Sequence, residues 1–146
     1  MIVDPRVARR KFDRDAQPIL EDPGAFGALG MRLIAAAYPN LRVALAWPQR
    51  QLEIPLELRA EDWDYRPPSA SWVQEDGSSW DGPVPSTNGF QAGDATHEPW
   101  LCFPGCLEFH EWAGHHTDLW WPKRHQEALR LLGFLQNAAA VLRRTP

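Results

Sequence analysis

The order of elements read along this chain predicts an α+β domain: an N-terminal helix, an antiparallel β-meander, an irregular segment and a long C-terminal helix packed on one sheet face. Three observations carry that expectation. Residues 41–58 alternate apolar and polar side chains with strand period, residues 75–99 have no period at all, and residues 123–144 repeat apolar side chains at helical spacing. At 146 residues the chain has the size of a single domain, with enough apolar content (44%) to bury a core.

Residues 1–20 mix Arg, Lys and Asp with Ile2, Val3, Val7 and Phe12, a composition that fits a short helix or a loosely ordered arm. Asp22 and Pro23 form a helix start, Asp22 as N-cap and Pro23 at the first helical position. From there Phe26, Leu29, Leu33, Ile34 and Ala37 fall at three- and four-residue spacing, which predicts a helix running to Tyr38-Pro39-Asn40. Leu41, Val43, Leu45 and Trp47 then share one face of a strand, and Leu52, Ile54, Leu56 and Leu58 share one face of the next. Pro48-Gln49-Arg50 supplies a hairpin connection. A third strand is expected over Ala70–Gln74.

The stretch 75–99, rich in Gly, Pro, Ser, Asp and Thr, reads as a long loop that leads into residues 97–121. After Trp121-Pro122 the closing helix is expected over 123–144. Leu129, Leu132, Leu135, Ala139 and Leu142 make its seam, with Lys123, Arg124, Arg130 and Arg143 outside.

Residues 97–121 hold both cysteines and four of the five histidines, together with Glu108, Glu111 and Asp118. Thiolate, imidazole and carboxylate are the donors of a borderline cation such as Zn2+. Glu108 and His110 stand two apart, so an extended segment would point both to one face. Phe103-Pro104-Gly105 is a turn able to bring Cys102 back over that face, and the loop Glu111-Trp112-Ala113-Gly114 can return His115. Cys102, Glu108, His110 and His115 are therefore the expected metal ligands, closing a tetrahedral structural zinc site. Cys106 is an alternative to Cys102 or Glu108, and His116 to His115. Asp118 is expected to accept an imidazole N–H and so orient a ligand. The plain alternative is two cysteines buried as small apolar residues beside surface histidines, with no metal. Trp100, Trp112, Trp120 and Trp121 flank the cluster, either as a docking surface or as walls that complete the core under the last helix.

Net charge is −4 and no basic stripe is present, which speaks against nucleic-acid binding. No stretch has the length of a membrane span, and two cysteines with three residues between them do not make a secreted disulfide framework, so a cytoplasmic protein is expected.

The run Leu101-Cys102-x-Pro104-Gly105-x-x-Glu108-Phe109-His110, followed by His115, Asp118 and Trp120, resembles a predicted metal-binding domain family. That family is named for its Cys-Glu-His-His signature and is found in bacterial ubiquitin-like modification gene clusters. Members often have a further His where this chain has Trp112. The element order also resembles the ubiquitin-conjugating (UBC) fold. Tyr65-Arg66-Pro67-Pro68 echoes that fold's proline-rich stretch, His97-Glu98-Pro99 stands near its His-Pro-Asn motif, and Cys102 occupies the place of its catalytic cysteine. The His-Pro-Asn motif itself is absent.

The resemblances imply a zinc-binding, UBC-like, non-catalytic accessory protein of a ubiquitin-like conjugation pathway. Its partners would be a ubiquitin-like protein or its activating and conjugating enzymes. They also imply an alternative, Cys102 as a thioester nucleophile. A metal-dependent hydrolase with Glu108 or Glu111 as base is the third reading, although His110 and His115 do not form a His-Glu-x-x-His pair.

Overall fold

The computed structural model describes residues 2–115 and 117–146. Its core is a four-stranded antiparallel sheet in the order β1 (Met31–Ala37), β2 (Asn40–Trp47), β3 (Leu52–Arg59) and β4 (Ser69–Trp72). Helices α1 (Pro5–Glu21) and α5 (Leu131–Arg143) pack against each other, and α5 lies on the sheet at β2. The α+β architecture expected from the pattern is the observed one.

The N-terminal stretch is a full helix rather than an arm. Asp4 caps α1 by accepting the Arg6 N–H at 2.9 Å, and Pro5 occupies the first turn, where its missing N–H costs nothing. Ala8, Phe12, Ala16 and Ile19 then recur every three or four residues and are buried, so the scattered apolar residues are one packed stripe.

The second expected helix is cut short. Asp22 does cap it, accepting the Ala25 N–H at 3.0 Å, but α2 covers only Pro23–Ala28. Gly30 then turns the chain at φ +80°, a left-handed conformation that glycine takes without a Cβ penalty. Met31–Ala37 is a strand, paired antiparallel to β2 from Met31↔Leu45 to Ala37↔Asn40, with a register shift between Leu33 and Ala35. The helical spacing of Leu33, Ile34 and Ala37 is real, but the exposed edge of β2 offers backbone partners that a local periodicity cannot foresee.

The hairpin matches its expectation closely. Leu41, Val43, Leu45 and Trp47 stand opposite Leu58, Leu56, Ile54 and Leu52, and all but Leu52 are buried. Pro48–Arg50 forms the turn, closed by Gln51 at φ 56°. The strand expected over 70–74 is β4, shifted to 69–72 and paired to β3. Within the long irregular segment, two residues at Phe90–Gln91 (β5) pair with Trp100–Leu101 (β6), seating Phe90 and Leu101 in the core.

The closing helix is also broken into pieces. A short α4 (Trp120–Lys123) and a 3-10 turn (Glu127–Leu129) precede α5, and Arg130 between them is extended. The helix breaks there because Arg130 turns inward rather than lying outside the seam as expected. Its guanidinium bonds Asp64 Oδ2 at 2.7 Å and pairs with Asp15, and it stacks 4.6 Å from the Trp63 ring. Gly133 lets α5 start close to the preceding turn, since a Cβ there would strike the Glu127 carbonyl. Leu129, Leu135, Ala139 and Leu142 of the expected seam are buried. Among the described residues no helix is long and apolar enough to cross a membrane.

Candidate functional site

Strand β6 delivers Cys102 to the edge of the core. Its N–H donates to the Gly89 carbonyl at 2.7 Å, so the long irregular segment frames the cysteine directly. Phe103-Pro104-Gly105 then turns the chain, with Gly105 at φ +108°. The segment that follows is not a strand: Leu107–Glu111 is a short helix, α3. The expectation that Glu108 and His110 share a face fails for that reason. Two residues on a helix are about 200° apart, not on one side.

Each side chain settles accordingly. Glu108 Oε1 accepts the Ser69 hydroxyl at 2.9 Å and the Ala70 N–H at 2.8 Å, fastening α3 to the β4 strand. Its Oε2 is buried without a partner, and burial raises the carboxyl above its ordinary value. His110 points the other way. Its Nδ1–H donates to the Asp118 carbonyl at 2.8 Å, leaving Nε2 to accept the Gly105 N–H at 3.1 Å. Asp118 thus holds an imidazole as expected, though through its backbone; its carboxylate pairs with Lys123. Two separate clefts record the divergence: Glu108, Trp100 and Trp112 line one of about 360 Å³, and His110, Tyr65 and Trp121 line another of about 570 Å³.

Cys102 and His115 do meet. The thiol Sγ lies 3.3 Å from His115 Nε2, with Cys102 half-buried and His115 at the end of a 3-10 turn. The His115 ring stacks on Phe109, centroids 3.9 Å apart and planes 20° apart, and the His115 backbone N–H donates to the Trp112 carbonyl at 2.9 Å. The backbone bond holds the turn, and the stacking fixes the ring beside the sulfur. Burial pushes the Cys102 thiol up from its usual value. With Nε2 as acceptor, this geometry suits transfer of the thiol proton to the imidazole.

Cys106 takes the plain role of a core residue. It is fully buried at the start of α3, its Sγ 3.4 Å from the Leu101 and Phe103 carbonyls, and burial pushes its thiol to about 12. His97 belongs to an exposed loop, bonded to Asp94 and Thr96. His116 lies outside the described residues. Among the described residues no three His, Cys, Asp or Glu side chains gather to hold a metal ion. Of the four expected ligands, Cys102 and His115 stand at a distance compatible with shared ligation, while Glu108 and His110 do not join them. The tryptophans divide between the core and the surface. Trp120 is buried and donates its Nε1–H to the Asp64 carbonyl at 2.9 Å; Trp100 and Trp112 pair at 5.3 Å; Trp121 is half exposed under Arg124.

Sequence reasoning missed Ser69, which fastens Glu108, and Phe109, which carries His115. Neither has a local signal: Phe109 reads as one more apolar residue between two polar ones, and Ser69 lies 39 residues from its partner.

No protein-family model matches the chain. It is similar to a curated protein of Sinorhizobium fredii (strain NBRC 101917 / NGR234), the uncharacterized protein y4jH, at 25% identity over 150 residues. The match covers 81% of this chain and 73% of that protein.

Proposed function

We propose that this chain is a UBC-like domain of a ubiquitin-like conjugation pathway whose working group is the Cys102–His115 pair. The observation that carries the reading is the 3.3 Å approach of the thiol of half-buried Cys102 to an imidazole held in place by ring stacking. In support, a helix, a four-stranded meander, the Tyr65-Arg66-Pro67-Pro68 stretch and Cys102 follow one another in the order of that fold.

In this reading Cys102 attacks the thioester carbonyl of an activated ubiquitin-like protein. The new S–C bond forms, the old one breaks, and the Cys102 proton passes to His115 Nε2 and on to the departing thiolate. Phe109 keeps the imidazole in line for that transfer.

A second reading starts from the same 3.3 Å approach, a distance compatible with ligation of one cation by Cys102 and His115. In it the domain is a non-catalytic accessory protein in which Zn2+ would be held by Cys102 and His115 and would stiffen the segment between β6 and α4, while Glu108 and His110 stay bound to Ser69 and to the Asp118 carbonyl.

One experiment separates the two. Elemental analysis of protein purified without added metal is combined with iodoacetamide labelling of Cys102, mapped by mass spectrometry, in wild type and His115→Ala. The carrier reading expects metal-free protein with Cys102 labelled at least about tenfold more slowly in the variant. Stoichiometric zinc, with Cys102 inert until a chelator is added, overturns it in favour of the accessory reading. Metal-free protein whose labelling ignores His115 overturns both.

A further inference from the structure

The cleft on the Glu108 side of α3 has a chemistry of its own. It encloses about 360 Å³ between the edge of β4, at Ala70 and Ser71, and the loop that ends at Pro99. Its walls are two indoles, Trp100 and Trp112, with ring centroids 5.3 Å apart and planes tilted by 36°. Trp112 leaves 49% of its surface exposed, a large apolar area for a residue with no core to fill.

The cleft is also lined by Ser71, Thr96 and His97, the His97 ring Nδ1 lying 2.8 Å from the Thr96 hydroxyl and 3.2 Å from Asp94 Oδ1. Two carboxylates, Glu98 and Glu108, line it, and among the described residues no lysine or arginine does. Glu108 makes no ion pair among the described residues, and its Oε2 is the one buried carboxylate oxygen there without a hydrogen-bond partner. Elsewhere in the chain buried carboxylates are neutralised: Asp64 holds both Lys11 and Arg130. An indole face attracts a cation through its ring quadrupole, and a carboxylate beside it adds charge complementarity. The rim is built rather than loose. Asp94 accepts the N–H groups of Thr96 and His97 at 2.7 and 2.9 Å, and Gly93 sits at φ +76° where a Cβ would strike the His97 carbonyl.

We infer that this cleft binds an alkylammonium group, the charged end of an aliphatic amine, with its carbon chain against Trp100 and Pro99 and its nitrogen between the Trp112 face and the Glu98 and Glu108 carboxylates. The site requires nothing of Cys102, so it stands or falls apart from the proposed thiol chemistry.

The probe is n-butylammonium chloride, titrated into the 15N-labelled full chain. The readout is the indole Nε1–H signals of Trp100 and Trp112, assigned by substitution, with n-butanol and sodium chloride as matched controls. The expected result is a saturable shift of both signals with n-butylammonium alone. Trp112→Ala and, separately, Glu108→Gln are expected to weaken the response at least about fivefold while the remaining spectrum stays that of the folded protein. Glu98→Gln replaces Glu108→Gln if the latter spectrum shows a disturbed β4. An equal shift with n-butanol overturns the inference by reducing the cleft to an apolar one. No shift, or unchanged affinity in Trp112→Ala, overturns it as well.

Discussion

Arg130 holds Asp64 from 66 residues away, its Nη1–H donating to Oδ2 at 2.7 Å with the Asp64 side chain 3% exposed. Lys11 completes the grip at 2.9 Å, and Asp15 joins from α1 by accepting both the Arg130 guanidinium and the Trp63 Nε1–H. This network ties α1, the β3–β4 connection and the start of α5 together. Removing one member of a buried pair strands the other charge at a cost of about 3–5 kcal/mol. Arg130→Met is therefore expected to lower chemical-denaturation stability by about that amount, whereas Arg124→Met, whose partner is the exposed Trp121 face, is expected to change it by under about 1 kcal/mol.

The same network sets an acid limit. Burial alone would push Asp64 up, but Lys11 and Arg130 outweigh it and hold the carboxyl at about 2, below its ordinary 3.8. A carboxyl depressed in the folded state binds protons more weakly than in the unfolded chain. Its contribution is whole above about pH 4 and is lost as the pH falls through about 2. Urea midpoints measured between pH 5 and 2 are expected to fall steeply for wild type and less so for Asp64→Asn, which begins lower and has no such proton to gain.

Trp47 reaches across the core to the end of the chain, its Nε1–H donating to the Thr145 carbonyl at 2.9 Å, with Thr145 itself buried. Trp47→Phe keeps most of the ring but leaves that carbonyl without its donor. The expected loss is about 1–3 kcal/mol in thermal or urea unfolding, with amide exchange of the last turn of α5 accelerated first.

Gly105 is a test of the turn that presents Cys102. At φ +108° it occupies a region closed to side chains, and an added Cβ would lie 2.9 Å from the Phe134 ring. Gly105→Ala is expected to cost about 1–3 kcal/mol and to displace the N–H that His110 Nε2 accepts. The His110 ring signals in NMR spectra should move, while those of His125 should not.

Part of the fold and part of the candidate site were legible in the chain. The Leu41–Leu58 hairpin announced itself because alternation of period two is a local property and both strands bury one face. Asp22 was readable as a cap for the same reason. The cluster around Cys102 was legible as a concentration of donors, and the structure does bring Cys102 to His115. The partition of Glu108 and His110 to opposite clefts was not, since the spacing of two residues means one face in a strand and two faces in a helix.

By itself the sequence determined the α+β class, the central hairpin, the long irregular segment and the apolar seam of the last helix, because each follows from the spacing of neighbouring side chains. Tertiary structure decided that Met31–Ala37 is a strand, that Arg130 faces inward, and that Cys102 pairs with His115 while Glu108 turns to Ser69. Those outcomes hang on partners that sequence distance hides. A backbone edge, a buried counter-charge or a facing ring selects among conformations that local periodicity leaves nearly equal in energy.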